Sequence, residues 1–290
     1  NAQGLVENVQ ILSSNLVQNG DFSEEGVQEV SNGSFSQEGV ELVTNGSFDT
    51  DSDWSLGSGV NISDGKLNID FVGAGNTAFQ GISFTSGSTS KVIVVCSSYT
   101  SGILNVRVGT NAVSSLIDGV GTYTFYIKEG GYPYINFFTG IGFNGSIESV
   151  SVREVGQDWS LGTGWSIGED KAISDGTSSN LDQFNTFTSG TTYKVVYTIE
   201  DYISGDIRFR FTGASNENGT LRNSNGTYTE YIKLTNTQSV FRFIGSGVLS
   251  ITNISVKEVG QNWDFGTGWE IGDNIANAVD AAFNSQIVYS

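Results

Sequence analysis

The stretch DWSLGSG at residues 53–59 recurs as DWSLGTG at residues 158–164 and as NWDFGTG at residues 262–268. The tryptophans that open these copies are 105 and 104 residues apart. A repeat of this length is the size of a domain and is too long for one coil of a solenoid. The spacing therefore predicts tandem copies of one globular module.

Apolar and polar residues alternate within the copies as they do in β-strands. Ile207, Phe209 and Phe211 alternate with Arg208 and Arg210, which puts one set in the core and the other on the solvent face. The 38 glycines and single proline suit short strands joined by glycine turns and are poor for helices. We predict an all-β chain of tandem antiparallel β-sandwich modules of the jelly-roll type.

The landmarks place module 1 at residues 46–154 and module 2 at residues 155–258. The third copy, at residues 259–290, is much shorter, and a partial sandwich leaves strand edges unpaired. It could be a strand-exchange segment completed by another chain, or a partial module that docks on module 2. The interpretation we favour is that the sequence is a piece of a longer protein.

A shorter repeat lies upstream of the modules, as NGDF at residues 19–22 and NGSF at residues 32–35 and 45–48. Each 13-residue unit offers one phenylalanine, which is too little apolar surface for a core of its own. We predict that residues 1–45 form a repetitive β fibre-like stalk, stabilised by stacking of the repeats or by winding with identical chains, as a homotrimer. The alternative is a flexible acidic linker whose repeat arose by slippage.

The charge of the chain limits its partners. Its 31 acidic and 13 basic residues give a formal net charge of −18. Nucleic acids and anionic membranes attract the opposite charge, and no apolar run approaches the length of a membrane span. The sequence therefore predicts no nucleic-acid partner and no membrane insertion. A glycan, a cation such as calcium or another protein remains compatible.

Residue types that are missing exclude most catalytic mechanisms. The chain has no histidine and only one cysteine, Cys96, so it can build no Ser-His or Cys-His pair, no ordinary zinc site and no internal disulfide. Cys96 ends an apolar run and is predicted to be a buried structural thiol. Glu154 and Glu258 recur at the module junctions, where a cap or hinge contact is expected rather than glycoside hydrolysis. We predict that the chain is not an enzyme.

Two sets of residues are candidates for binding. The tryptophan that opens every copy is predicted to be a core anchor rather than a sugar-stacking platform. Trp165 and Trp269 are better candidates for exposed sugar-stacking platforms, because module 1 has Val60 at their position. The alternative for these two is a core position, which also tolerates that change. Asp49, Asp51 and Asp53 alternate in a tight loop and could converge on one calcium ion. The alternative for these carboxylates is a solvated acidic turn, and no other cofactor is predicted.

The stretch LVTNGSFD at residues 42–49 resembles the opening of jelly-roll carbohydrate-binding modules of families 4 and 9 and related types. Residues 147–155, IESVSVREV, resemble their closing strand. The tandem form with upstream NGDF-type repeats is similar to fibre and appendage proteins of tailed phages. Module 2 departs from the pattern, since it opens at residues 154–158 without the NGSF prefix.

The resemblance implies a non-enzymatic, structural and adhesive fibre of a phage virion, in its head or tail. Such a fibre would display carbohydrate-binding-like modules at the virion surface or outside the cell. Its partners would be identical chains, other virion or surface proteins held through the stalk, and cell-surface polysaccharide. The alternative is a glycan-binding accessory region of a secreted bacterial adhesin or of a large polysaccharide-degrading enzyme.

Overall fold

The computed structural model describes residues 17–71, 73–85, 87–109, 111–129 and 131–289. Within these ranges every regular element is a β-strand and every pairing is antiparallel, so the predicted all-β class is confirmed. No helix of the described residues has the length and apolar character to cross a membrane. Two strands precede the modules: β1 (Glu25–Gln28) and β2 (Glu38–Glu41).

Module 1 is a sandwich of two five-stranded sheets. Its strands are β3 (Ser55–Leu56), β4 (Val60–Ser63), β5 (Lys66–Phe71), β6 (Gly75–Gly81), β7 (Thr89–Gly102), β8 (Leu104–Val108), β9 (Asn111–Ile117), β10 (Gly121–Lys128), β11 (Tyr134–Thr139) and β12 (Phe143–Val155). One sheet has the order β10-β7-β12-β5-β4 and the other β3-β6-β11-β8-β9. Strand β2 adds to the first sheet by pairing with β12.

Module 2 repeats this topology strand for strand. Its strands are β13 (Ser160–Leu161), β14 (Trp165–Gly168), β15 (Lys171–Asp175), β16 (Ser179–Phe187), β17 (Thr192–Ser204), β18 (Ile207–Gly213), β19 (Asn216–Asn218), β20 (Gly226–Lys233), β21 (Gln238–Gly245) and β22 (Val248–Val259). The sheets have the orders β14-β15-β22-β17-β20 and β13-β16-β21-β18-β19. Strand β1 pairs with β22, as β2 does with β12.

The residues that follow β22 fold like the first four strands of a module, and we call them the third unit. They are β23 (Trp263–Phe265), β24 (Trp269–Gly272), β25 (Ile275–Ala278) and β26 (Ile287–Tyr289). Strand β23 pairs with β26 as β3 does with β6, and β24 pairs with β25 as β4 does with β5. The third copy therefore reproduces the opening topology of the two complete modules.

Each module has its own core between its two sheets. The alternating residues Ile207, Phe209 and Phe211 are fully buried in module 2, while the intervening arginines are half-exposed on the outer face, as predicted. Cys96 is buried in module 1, where desolvation raises the pKa of its thiol. This confirms its assignment as a structural residue.

The upstream repeats do not project as a stalk. Phe48 is buried in the core of module 1 and Phe35 in the core of module 2, each with at most 1% of its surface exposed. The predicted stalk is therefore wrong for residues 17–45; residues 1–16 lie outside the described residues. The physical reason is that each phenylalanine finds a core within its own chain. Winding with identical chains is not needed to bury it, and the homotrimer stays a prediction.

Candidate functional site

The three short repeats form three turns of the same conformation. We call residues 43–48 clasp 1, residues 30–35 clasp 2 and residues 17–22 clasp 3. In each clasp the asparagine and the phenylalanine have positive φ, between 46° and 56°, and the phenylalanine N–H donates to the asparagine carbonyl. Asparagine tolerates this left-handed conformation, whereas phenylalanine rarely adopts it. Packing of the aromatic ring against a tryptophan offsets the strain.

Every clasp holds the tryptophan that opens one copy of the long repeat. In each case the indole N–H donates to the asparagine carbonyl, and the phenylalanine ring packs on the indole with centroids 5.2–5.4 Å apart. The three bonds are Trp54 Nε1 to Asn45 O at 3.3 Å, Trp159 Nε1 to Asn32 O at 3.1 Å and Trp263 Nε1 to Asn19 O at 2.9 Å. Trp54 and Trp159 are thus core anchors, as predicted, whereas Trp263 is half-buried. What all three tryptophans anchor is the N-terminal segment.

The order of the clasps is the reverse of the order of the modules. Clasp 1 holds module 1, which follows it directly, while clasp 2 holds module 2 and clasp 3 holds the third unit. This explains why module 2 lacks the NGSF prefix in its own sequence. Its prefix is clasp 2, which lies more than a hundred residues upstream.

A glycine of each clasp on a complete module lies against the closing strand of that module. Gly46 O accepts from Val150 N at 2.8 Å, and Gly33 O accepts from Ile254 N at 2.9 Å. A Cβ on Gly33 would lie 2.0 Å from Ile254 O, and one on Gly46 would lie 2.2 Å from Val150 O. Only glycine therefore fits these positions without displacing backbone.

A glutamine side chain of each complete module also binds the clasp, because its amide group bonds to a backbone N–H and C=O as a neighbouring β-strand would. Gln80 accepts from Thr44 N and donates to Thr44 O, both at 2.8 Å. Gln183 does the same with Ser31, at 2.7 and 2.9 Å. Both glutamines are buried, so these bonds satisfy backbone groups that would otherwise lose their water.

The segments between the clasps make ion pairs at the two module junctions. At the first junction Glu38 lies 2.6 Å from Lys91 Nζ and 3.9 Å from Arg153 Nε. At the second junction the same arrangement recurs, with Glu25 2.6 Å from Lys194 Nζ and 3.0 Å from Lys257 Nζ. Glu38 and Glu25 are separated by one short repeat, whereas the basic residues that they contact are separated by about one long repeat. Each junction therefore pairs one copy of the short repeat with one copy of the long repeat.

A tyrosine of each complete module packs on the unit that follows it. The Tyr126 ring borders the core of module 2, where a Cβ placed on Gly168 would lie 3.6 Å from it. Tyr231 occupies the same place at the second junction, 3.5 Å from a Cβ placed on Gly272. The second junction thus repeats the contacts of the first.

Each junction encloses a polar cleft beside the opening tryptophan. The first has a volume of 540 Å³ and is lined by Lys128, Glu154 and Gln157 among others, and the second, of 430 Å³, has the equivalent residues. The Glu154 carboxylate accepts bonds from the backbone N–H and hydroxyl of Thr85 and from Ser88 Oγ at 3.1 Å. It therefore caps the turn that precedes β7, as predicted for a junction acid.

A second carboxyl group, that of Glu129, lies near this cleft and is buried. It is 6% exposed and accepts a hydrogen bond from Ser90 Oγ. Burial, with a smaller contribution from the charge of Glu154, raises the pKa of Glu129 to about 7. Its other oxygen has no hydrogen-bond partner among the described residues. The backbone-equivalent residue of module 2 is Leu234.

The predicted stacking residues do not form an aromatic platform. Trp165 is 3% exposed and belongs to the core of module 2, so its predicted exposure is wrong. The reason is that β14 turns this side chain inward, as β4 does the half-buried Val60 of module 1. Trp269 is half-buried in the third unit, and sugar contact at this residue stays a prediction.

The structure does not bring Asp49, Asp51 and Asp53 together. All three are exposed; Asp49 accepts from Ser47 Oγ and Asp53 from Ser52 Oγ, both at 2.6 Å. In the part of the chain that the structure describes, no group of three or more such side chains is arranged to hold a metal ion. This geometry corresponds to the solvated acidic turn, and calcium binding there stays a prediction.

Sequence reasoning missed the clasps, although two signals pointed to them. Three short repeats stand upstream of three opening tryptophans, and the NGSF prefix is absent from module 2. Either observation could have suggested that the repeats complete the modules one by one.

No protein-family model and no curated protein matches the chain. Among solved structures, the chain is similar to the N-terminal CBM22-1-CBM22-2 tandem domain of Xyn10C from Paenibacillus barcinonensis, with 10% sequence identity and a TM-score of 0.29. The match covers 77% of this chain and 99% of that chain.

Proposed function

We propose that the chain is a non-enzymatic, structural and adhesive protein. Its sandwich modules follow one another in a fixed relative orientation and present exposed sheet faces to a glycan. The observation that carries this proposal is the repetition of one junction, with its clasp, ion pairs and tyrosine contact, between modules 1 and 2 and again between module 2 and the third unit.

A repeated junction implies a repeated displacement from one module to the next. Head-to-tail contacts of this kind generate an open linear array unless the rotation closes a ring. In such arrays each unit contacts only its neighbours, as in other repeat proteins. This geometry suits a fibre.

Two connections cross each junction, which limits bending. Residues 156–158 run directly from module 1 to module 2, while the N-terminal segment runs back from clasp 1 to clasp 2 across the same junction. Modules joined by a single linker ordinarily move relative to one another. A second strand clamped on both sides opposes that motion.

The finer proposal is a fibre of a phage virion or a related surface appendage that attaches to cell-surface glycans. It rests on the sequence resemblance and on the repeated junction. Several modules on one particle would raise the effective concentration of weak glycan contacts, more so in a homotrimer. The second candidate is an accessory region of a secreted adhesin or polysaccharide-degrading enzyme.

The junction clefts favour a non-enzymatic function. Glu154 is engaged as a cap, and the cleft at the second junction has Asn262 where the cleft at the first junction has Asp158. Glycoside hydrolysis requires two carboxyl groups on opposite sides of a bond. A pair of carboxyl groups at one set of equivalent positions is therefore not common to the two clefts.

Small-angle X-ray scattering tests the structural part of the proposal. Gly33→Ala should release clasp 2, because the new Cβ meets Ile254 O at 2.0 Å, and should broaden the distribution of interatomic distances. Gly20→Ala is the matched control, because its Cβ would lie 3.5 Å from Val17, an ordinary contact. Scattering from the Gly33 variant that equals that of the parent would contradict a clamped junction.

A glycan array probed with the full chain tests the adhesive part. Binding to at least one class of glycan is expected. Absence of binding across neutral and acidic glycans would leave a structural protein without the adhesive function. The scattering result is independent of that outcome.

A further inference from the structure

A row of charged side chains crosses the outer face of one sheet in module 2. Asp182 on β16 lies opposite Arg242 on β21, Arg242 lies opposite Arg210 on β18, and Arg210 lies opposite Asn218 on β19. These side chains point away from the core, since their neighbours Phe209, Phe211, Phe241 and Phe243 are fully buried. Arg208 lies on the same face of β18, two residues before Arg210.

The positive charge of this row is only partly neutralised. Arg242 donates from Nε and Nη2 to the two oxygens of Asp182, both at 2.7 Å. Arg210 Nε donates to the uncharged amide oxygen of Asn218 at 2.7 Å. Arg208 makes no ion pair with any residue that the structure describes. The row thus contains one carboxylate and three guanidinium groups, and that carboxylate bonds to Arg242.

This arrangement is unfavourable for folding alone. Like charges directly opposite one another on neighbouring strands destabilise a sheet. The pKa of Arg210 is lowered, first by burial and then by the positive charges of Arg208 and Arg242. In a chain with a net charge of −18, acidic side chains are abundant, yet only one lies in this row. An anionic ligand would remove the imbalance.

An exposed aromatic ring lies on the same face. Phe184 on β16 is two residues beyond Asp182 and is 68% exposed. The flat face of an aromatic ring is a suitable surface for a sugar ring. Asn216 and Asn218 at the opposite edge offer exposed amides for hydroxyl groups.

Module 1 lacks this charge pattern at the equivalent positions. There the row consists of Phe79, Asn136 and Arg107, and Asn105 stands in place of Arg208. The single cation is covered, because Arg107 Cζ lies 3.5 Å from the centroid of the Phe138 ring. The two modules therefore present different outer faces on the same backbone.

We propose that the outer face of the β21 sheet in module 2 binds a carboxylate-bearing sugar of a polysaccharide. Arg208 and Arg210 hold the carboxylate, and Phe184 packs against a sugar ring. The inference rests on the proposed adhesive function and adds the class of glycan. A glycan with spaced carboxylates fits better than a dense polyanion, because the net charge of the chain repels the latter.

Isothermal titration calorimetry of the full chain with hyaluronan tests this inference, since the carboxylates of hyaluronan alternate with neutral sugars. Arg208→Asn gives module 2 the residue that module 1 has, and Arg208 makes no ion pair within the described part of the chain. Loss of one charge-assisted contact should weaken hyaluronan binding about tenfold. Lys66→Asn on β5 of module 1 removes the same charge elsewhere and should leave affinity unchanged.

Dextran and inorganic polyphosphate separate the other possibilities. The inference is overturned by equal binding of hyaluronan to the parent and the Arg208 variant, by preferential binding of polyphosphate, or by absence of hyaluronan binding. Binding of dextran without binding of hyaluronan would overturn the inference while leaving the adhesive function intact. Absence of binding to any glycan would overturn both.

Discussion

Modules 1 and 2 share their strand order and clasps but fill the space beside the junction cleft with different chemistry. In module 2, Tyr193 and Leu234 are buried there, and the Tyr193 ring centroid lies 5.6 Å from that of Phe211. In module 1 the equivalent residues are Ser90 and Glu129, and the hydroxyl donates to the buried carboxyl. The same backbone thus accommodates an aromatic cluster in one module and a polar pair in the other.

The difference shows which features the fold requires. Both modules keep the opening tryptophan, the clasp phenylalanine and the glutamine bridge to the clasp. A buried carboxyl without full hydrogen bonding destabilises a core, and an apolar residue of similar volume is often more stable. The clasp contacts are therefore common to the fold, whereas Glu129 is particular to module 1.

The largest expected effect comes from removing one clasp ring. Phe35→Ala should destabilise module 2 by about 3–5 kcal/mol, because it leaves a cavity in a fully buried site. Phe48→Ala should do the same to module 1. Hydrogen exchange followed by mass spectrometry checks this, since protection should fall in only the module whose ring is removed. Equal loss in both modules from either variant would contradict the pairing of clasps with modules.

Exchanging Glu129 of module 1 and its equivalent Leu234 of module 2 should change the free energy of unfolding by an intermediate amount that depends on pH. In folded module 1 the pKa of Glu129 is raised from 4.5 to about 7, so the folded state keeps its proton while the unfolded state loses it. The stability of module 1 therefore falls as pH rises from 4.5 to about 7. Glu129→Leu should remove this loss and stabilise module 1 by about 3 kcal/mol above pH 7.

Urea unfolding of module 1 at pH 4 and pH 8, followed by hydrogen exchange, measures this effect. The gain from Glu129→Leu should be much smaller at pH 4. The reciprocal variant Leu234→Glu should destabilise module 2 more at pH 8 than at pH 4. A gain that is the same at both pH values would show that the carboxyl does not titrate on unfolding in this range.

The smallest effect is expected at the junction ion pairs. The ammonium groups of Lys194 and then Lys257 lower the pKa of Glu25, so its stabilisation is present at neutral pH and lost as pH falls below the usual range of a glutamate. Glu25→Gln should destabilise the second junction by less than about 1 kcal/mol at low salt. Glu38→Gln should act equally on the first junction. An effect that persists in molar salt would argue against an electrostatic origin.

Much of the fold could be predicted from local patterns. The alternation of Ile207, Phe209 and Phe211 predicted a strand with a buried face, and the recurrence of Trp159 predicted an anchor. Trp165 was a candidate for exposure because module 1 has valine at its position, and the structure places it at the alternative, a core position. A change from one apolar residue to another does not indicate exposure, and both side chains point inward.

The clasps could not be predicted from local patterns because their partners are far away in sequence. Nothing in the sequence around Asn32 indicates that its carbonyl accepts a bond from Trp159. A repeat that cannot bury its own ring looks the same whether it stacks with other chains or docks on a distant module. The arginine row was also missed, because it forms only when β16, β21 and β18 lie side by side.

The reverse order of the clasps has a consequence for how the protein is made. Asn45 and its partner Trp54 are 9 positions apart in the sequence. The separation is 127 positions for Asn32 and Trp159, and 244 positions for Asn19 and Trp263. During synthesis the three short repeats leave the ribosome before the modules that they bind. Clasp 1 can close almost at once, whereas the others must wait for tryptophans not yet translated.

The closure of each clasp lowers the entropic cost of closing the next clasp. Once clasp 1 has closed on module 1, clasp 2 is tethered to it at a distance of 13 residues in the sequence. The intervening strand β2 pairs with the end of β12, so clasp 2 is held close to the place where the next tryptophan emerges. The entropic penalty of closing a loop of more than a hundred residues is then largely avoided. Assembly should therefore proceed like a zipper from the first module outward, and a lost clasp 1 should delay the closure of every later one.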